Sequence, residues 1–322
     1  MTAPSGTALE LLTVGRISVD LYANETGASF NDPQTFTKSI GGSATNVAIA
    51  AARLGHRAAV FTKVGDDPFG LYVRHKLELF GVDTRFVSTH PSMPTPLAFA
   101  AMDPPDDPTL LMYRYPMGPD QTLETSEIDR QAVADVPILW LTGAWFSKDP
   151  ARATCWELLS IRQRKAHLVF DLDYRANFWP SAEAASADIG PVLDHVTVAV
   201  GNRVECEVAV GSSDPPEAAR RLLARGVELA IVKMGGNGVM VATAQATTVV
   251  PPHLVEVVCG LGAGDAFGGM LAHGLLSGWE PVRIVEYCNI AGAIVAGRLL
   301  CSDAMPTLAE VEDALEDRRV AG

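Results

Sequence analysis

The feature that most constrains this chain is a rhythm of short, almost continuously apolar runs set between polar loops and amphipathic stretches. The runs at 9–14, 58–64, 138–142, 168–171, 196–200 and 229–233 read as strands covered on both faces. The stretches 44–54, 71–80, 151–164, 216–224, 264–276 and 281–299 carry apolar residues at helical spacing. Strand and helix in alternation predict an α/β fold, a three-layer α/β/α sandwich around a mostly parallel central sheet. Segments 238–242 and 247–250 read as an antiparallel pair on its edge. At 322 residues, 48% of them hydrophobic, the chain suffices for one large domain or two modest ones.

One region breaks the rhythm. Residues 94–114 read as strand, Pro/Asp turn, strand (97–102 and 110–114), with no helix between. With 19–36 they can form a small β flap; an ordinary surface hairpin is the plainer alternative.

Charge and composition exclude several classes. The formal charge of −13 disfavours nucleic acid, whose phosphates call for a basic surface. No apolar run approaches the roughly 18–20 residues of a membrane helix. Residues 1–12 lack the basic start of a secretory signal, and Arg16 soon interrupts the apolar stretch, so a cytoplasmic protein with no membrane partner is expected. Five scattered cysteines without a Cys-x-x-Cys pair argue against a zinc site or a disulfide framework.

In open α/β sheets ligands bind beyond the carboxyl ends of the strands. Polar residues gather at those ends here: Asp171, Asp173 and Arg175; Asn202 and Glu205; Lys233, Gly235, Gly236 and Gly238. The strongest local signal is Gly260-Leu-Gly-Ala-Gly-Asp265-Ala-Phe-Gly-Gly269, between an extended segment and an apolar helix. Glycines admit a ligand to the backbone, and the first N–H groups of a helix point at an anion. An Asp beside them is placed to accept a hydroxyl proton; the plainer alternative is a helix cap worth about 1 kcal/mol. Neither a Walker A string nor a Gly-x-Gly-x-x-Gly after the first run occurs, which removes the two commonest nucleotide motifs.

With these residues in place the chain resembles the PfkB, or ribokinase-like, carbohydrate kinases over essentially its whole length. Gly41-Gly-Ser-Ala-Thr-Asn46 resembles the family's N-terminal signature, and Gly260–Gly269 its C-terminal one. The resemblance implies a ribokinase-like fold in a single kinase domain over 1–322, with a β lid formed by parts of 16–38 and 94–116. It implies sugar contacts from Asp20, Gly41, Gly42 and Asn46, an anion hole at Gly262, Ala263 and Gly264, and Asp265 as catalytic base. Asn202, Lys233, Gly235, Gly238 and Asn289 fall at ATP-binding positions, and Glu205 at one that holds Mg2+ through water. Within the family, Tyr113-Arg-Tyr-Pro116, Asp171-Leu-Asp-Tyr-Arg175 and Cys301-Ser-Asp-Ala-Met-Pro-Thr307 resemble the 5-dehydro-2-deoxygluconokinases of inositol catabolism. A sugar acid needs a cationic partner, which points to Arg114 or Arg16, with Arg175 nearer the expected phosphate path. A 2-keto-3-deoxygluconate kinase, another sugar kinase of the family and a non-catalytic sugar-binding regulator stay open, as does a homodimer paired through the lids. One position departs from the pattern: Cys259 stands where ribokinase-like members carry an Asp that helps hold an activating monovalent cation.

Overall fold

The apolar runs assemble into two sheets of unequal size. The computed structural model describes residues 8–165 and 167–321; the start of the 1–12 stretch and the ends of the 1–322 span lie outside them. In chain order the strands are β1 (Leu11–Val14), β2 (Ser18–Ala23), β3 (Phe36–Gly41), β4 (Ala58–Gly65), β5 (Val87–His90), β6 (Leu97–Ala101) and β7 (Thr109–Tyr113). They continue with β8 (Ile138–Thr142), β9 (His167–Asp171), β10 (Val198–Asn202), β11 (Leu229–Lys233), β12 (Val239–Ala242) and β13 (Thr247–Val250). The helices are α1 (Ser43–Arg53), α2 (Pro68–Leu79), α3 (Arg130–Asp135), α4 (Ala151–Arg162), α5 (Ala182–Ile189) and α6 (Arg203–Val210). The last four are α7 (Pro215–Ala224), α8 (Ala263–Leu276), α9 (Pro281–Ala296) and α10 (Leu308–Ala321).

The large sheet runs β13-β12-β11-β10-β9-β8-β1-β4-β5. It is parallel from β11 through β5, with β12 and β13 added antiparallel at one edge. Successive residues of each strand face opposite layers, so both faces are apolar. Leu11, Val60, Ile138, Val169 and Ile231 pack with α1, α2, α8, α9 and α10. Leu12, Phe61, Leu139, Phe170 and Val232 pack with α3 to α7 on the other face. Each fully buried Leu, Ile or Val contributes roughly 1.5–3 kcal/mol of transfer free energy. This is the α/β/α sandwich that the alternation predicts.

The second sheet, ordered β3-β2-β6-β7, is the lid. Its strands come from the two stretches that lacked helices, and β3 runs three residues beyond the expected limit at 38, to Gly41. β2 pairs with β3 antiparallel and with β6 parallel. Only Gly15, Arg16 and Ile17 separate β1 of the large sheet from β2 of the lid, so side chains at this crossing stand at the strand ends and under the lid at once.

β5, α3, α5, α6 and α10 are not marked by the apolar rhythm. α5 buries only Ala185 and Ile189 and α3 only Val133, too little apolar surface to signal a helix. α6 opens at Asn202, whose side chain caps it; the sequence reading took that Asn-x-x-Glu element as ligand-binding and overlooked the helix.

Candidate active site

The strand ends and the lid border a cleft that is open to solvent on one side. Its floor carries Asp265 at the first turn of α8, and its wall carries Arg16, Arg114 and Arg175. Of the expected sugar-side residues, Asp20, Gly42, Asn46, Gly262 and Asp265 line it together. Asn202, Glu205, Lys233, Gly235, Gly238 and Asn289 do not.

Asp265 is not a cap. α8 begins after Gly262, which occupies the cap position at φ 83° with no side-chain bond. The carboxylate bonds away from its own helix: Asn46 Nδ2 donates to Asp265 Oδ2 at 2.7 Å. Close approach of two helices makes that possible, because a Cβ on Gly269 would lie 2.3 Å from Ala50 Cβ of α1. The second glycine pair of the motif therefore serves helix packing, which brings Asn46 of α1 to Asp265. Burial pushes the Asp265 carboxyl above its ordinary value; bonds from Asn46 and Ser43 and the nearby Arg175 work against that, while Asp173 adds to it. A carboxylate raised in this way and held by an amide is suited to taking a proton.

Asp20 lies on β2 opposite Ser39 of the adjacent β3, and its carboxylate reaches diagonally to Gly41. A Cβ on Gly41 would sit 1.8 Å from Asp20 Oδ2, so only glycine lets the carboxylate occupy that place. Ser18 Oγ donates to Asp20 Oδ1 at 2.6 Å and Tyr22 Oη to Oδ2 at 3.3 Å. Burial lifts the Asp20 carboxyl to about 6 despite these bonds and the charge of Arg16.

The arginines are held by two buried carboxylates. Arg16 Nη2 bonds both Asp173 oxygens, at 2.9 and 3.3 Å, and Arg175 Nε bonds Asp173 Oδ1 at 2.9 Å. Asp173 adopts a left-handed backbone conformation, φ 26°, which is uncommon for a residue with a side chain and often marks a functional position. Burial works to raise its carboxyl, and the two arginines hold it below the usual value. Arg114 Nη2 bonds Asp120, at 2.8 and 3.0 Å, not the acids at 103–107 across the hairpin. The Phe178 ring lies 5.4 Å from the Arg16 guanidinium and 5.3 Å from that of Arg114. Nε of Arg16 and of Arg114 is buried without a partner, so each guanidinium retains capacity for an anion. Arg175, expected on the phosphate side, lines the same cleft and also feels Glu205 and Asp265.

Asn202 and Glu205, expected at ATP- and Mg2+-binding positions, form a reciprocal cap at the start of α6. Asn202 Oδ1 accepts from Glu205 N–H at 2.9 Å, and Glu205 Oε2 from Asn202 N–H at 2.6 Å. Lys233 ends β11, and its ammonium would stand 3.5 Å from a Cβ on Gly264, beside the α8 amides. Burial works to lower the Lys233 pKa, but Glu205 and Asp171 hold it above its ordinary value. Gly235 and Gly238 follow in the next turn, both at positive φ, and Asn289 Nδ2 on α9 bonds Pro251 O at 2.9 Å. Among the described residues no group of three or more His, Cys, Asp or Glu is gathered for a metal. A single carboxylate, Glu205, with one oxygen engaged fits Mg2+ that is held mainly by nucleotide phosphates and water. Ser43, which lines the cleft, and Asp120 and Ser302, which support Arg114 and Asn46 from behind it, were not singled out from the sequence. Ser43 and Ser302 lie inside strings that carry the family resemblance, the one available signal.

The description "pfkB family carbohydrate kinase" matches residues 8–308. The 5-dehydro-2-deoxygluconokinase of Geobacillus kaustophilus is 33% identical over 97% of this chain and 95% of its own length. That of Bacillus subtilis is 29% identical over 96% of each. An Escherichia coli protein assigned as a ribokinase II, in complex with ATP and Mg2+, superposes with a TM-score of 0.87 at 23% identity, covering 96% of this chain and 99% of that one. A fructokinase from Xylella fastidiosa with bound ATP gives 0.84 at 22% identity, with the same coverage. The class is that of ATP-dependent sugar kinases, phosphotransferases with an alcohol acceptor. Within it, the chain belongs to the pfkB family of carbohydrate kinases.

Proposed function

We propose that this kinase phosphorylates the 6-hydroxyl of 5-dehydro-2-deoxy-D-gluconate, in the cytoplasm and as one kinase domain with a β lid. The observation that carries the acid specificity is the trio Arg16, Arg114 and Arg175 in the cleft that contains Asp265. A neutral sugar requires no such cations, and guanidinium groups match a carboxylate in two parallel bonds. The names of the full-length relatives support the same acid.

In the mechanism, Asp265 accepts the proton of the acceptor's primary hydroxyl as that oxygen attacks the γ-phosphorus of ATP, and the bond from that phosphorus to the β,γ-bridging oxygen breaks to release ADP. Amides of Gly262, Ala263 and Gly264 face the negative charge of the transferring group. Lys233 and Arg175 add positive charge on either side of it, and positioning with charge stabilisation supplies nearly all of the catalysis. Gly235, Gly238 and Asn289 would bound the nucleotide, and Glu205 would help to hold Mg2+. When bound, that ion neutralises phosphate charge. Lid closure over the sugar excludes water as a competing acceptor. Incubation with ATP, Mg2+ and the acid should give a phosphomonoester whose phosphorus couples to the C6 protons by NMR. A product esterified elsewhere, or none, rejects the assignment.

Cys259 sets a further expectation. The thiol is fully buried beside Tyr22, Met102 and Cys301, and burial holds its pKa above the ordinary thiol value. A neutral thiol is a poor ligand for a hard cation. Turnover at saturating Mg2+ should therefore be nearly equal in potassium, sodium and tetramethylammonium salts. Strong selective stimulation by potassium contradicts this and moves the cation site to backbone carbonyls.

Phe36, Leu111 and Tyr113 are exposed on the outer lid face, which supports a homodimer paired through the lids.

A further inference from the structure

Asn46 can serve Asp265 in only one orientation of its amide, and a residue outside the sugar and nucleotide sites contacts that amide from its other end. Ser302 lies in the turn between α9 and α10 and is fully buried. Its Oγ is 2.8 Å from Asn46 Oδ1 and 2.5 Å from Ile40 O on β3. The hydroxyl has one hydrogen to give and lone pairs that can accept, so it anchors the amide without dictating which end faces it. Asp265 sets that orientation: Nδ2 donates to its Oδ2 at 2.7 Å, and the opposite orientation would set the amide oxygen against the carboxylate.

We propose that Ser302 is a positioning residue for catalysis: it holds the Asn46 amide, and through it the Asp265 carboxylate, in place without touching substrate. The neighbouring side chains of the turn have separate partners. Cys301 Sγ is 2.7 Å from Tyr22 Oη, and Asp303 accepts from Ser39 Oγ at 2.7 Å and Lys76 Nζ at 2.5 Å. Those contacts tie the turn to the lid and α2, whereas Ser302 alone of the three bonds Asn46.

The inference rests on Asp265 as base, and the tests separate the two. Ser302→Ala should lower kcat by roughly 10–100-fold, the scale on which a misplaced catalytic group costs rate, while KM for ATP stays within about twofold. In an Asn46→Ala background the same change should cost less than about twofold, because the group it holds is gone. Ser302→Thr, which keeps the hydroxyl, should recover most of the rate. Asp303→Asn, which loosens the turn elsewhere, should leave kcat near wild type. Equal losses from Ser302→Ala in both backgrounds, or a loss matched by Asp303→Asn, assign Ser302 a structural role and overturn the proposal. If Ser302→Ala is silent while Asp265→Asn is inactive, the relay fails and the base stands. Should Ser302→Ala fail to fold, the Thr variant decides: a well-folded Thr variant with kcat down more than about tenfold contradicts the relay.

Discussion

Asp265→Asn lowers kcat by roughly 10²–10⁴-fold, the usual share of general base catalysis. The substitution preserves shape and can still meet Asn46 through its amide oxygen, but it cannot take a proton. KM for ATP should move little, because the α8 amides and Lys233 are untouched. The wild-type profile carries a companion signature. The carboxyl is raised above its ordinary value, chiefly by burial, and the base works only when ionised. Activity should therefore fall, as pH decreases, at a higher pH than an exposed aspartate would give. Near wild-type turnover in the Asn variant would leave Asp265 a packing residue of α8 and remove the mechanism.

The second large effect is expected at Arg114. Arg114→Met should raise KM for 5-dehydro-2-deoxygluconate by roughly 10–100-fold, since a charged hydrogen bond contributes about 1.5–3 kcal/mol. Discrimination against neutral ketoses should weaken while KM for ATP holds. A cost in stability comes with it. Asp120 is fully buried and bonds Arg114 Nη2, and removing one partner of a buried pair destabilises by about 3–5 kcal/mol. Arg114→Lys keeps a charge near Asp120 and should soften the stability loss but not restore the carboxylate fork. The ratio of KM for acid to KM for neutral sugar, measured in both variants, is insensitive to how much protein is folded. An unchanged ratio transfers the carboxylate to Arg16 or dismisses the acid reading.

How much of this could be read from the residues differs from element to element. Buried parallel strands announce themselves, because two apolar faces leave no room for polar residues; β4, β8 and β11 fall within a residue of their expected limits. β10 slides two residues later, to Val198–Asn202, since Val196 and Thr197 are apolar or β-branched lead-in that pattern alone cannot exclude. Around the cleft, Gly262 and Asp265 were marked by a glycine turn before a helix start, whereas Asp20, Gly42 and Asn46 were reached through the family resemblance. Asp120 and Ser302 were not singled out. Their partners, Arg114 and Asn46, lie 6 and 256 residues away in sequence, and such pairings arise only when the sheets and helices are assembled. The role of Gly269 was hidden for the same reason: its neighbour, Ala50, belongs to another helix.

The most direct test of the whole account is a coupled ADP-release screen at saturating ATP and Mg2+, with sugar acids, neutral sugars and nucleosides as acceptors. The arginine-walled cleft predicts the highest kcat/KM for 5-dehydro-2-deoxygluconate, lower values for 2-keto-3-deoxygluconate, and little ADP from fructose, ribose or adenosine. A neutral sugar or nucleoside turned over faster than every acid would contradict it.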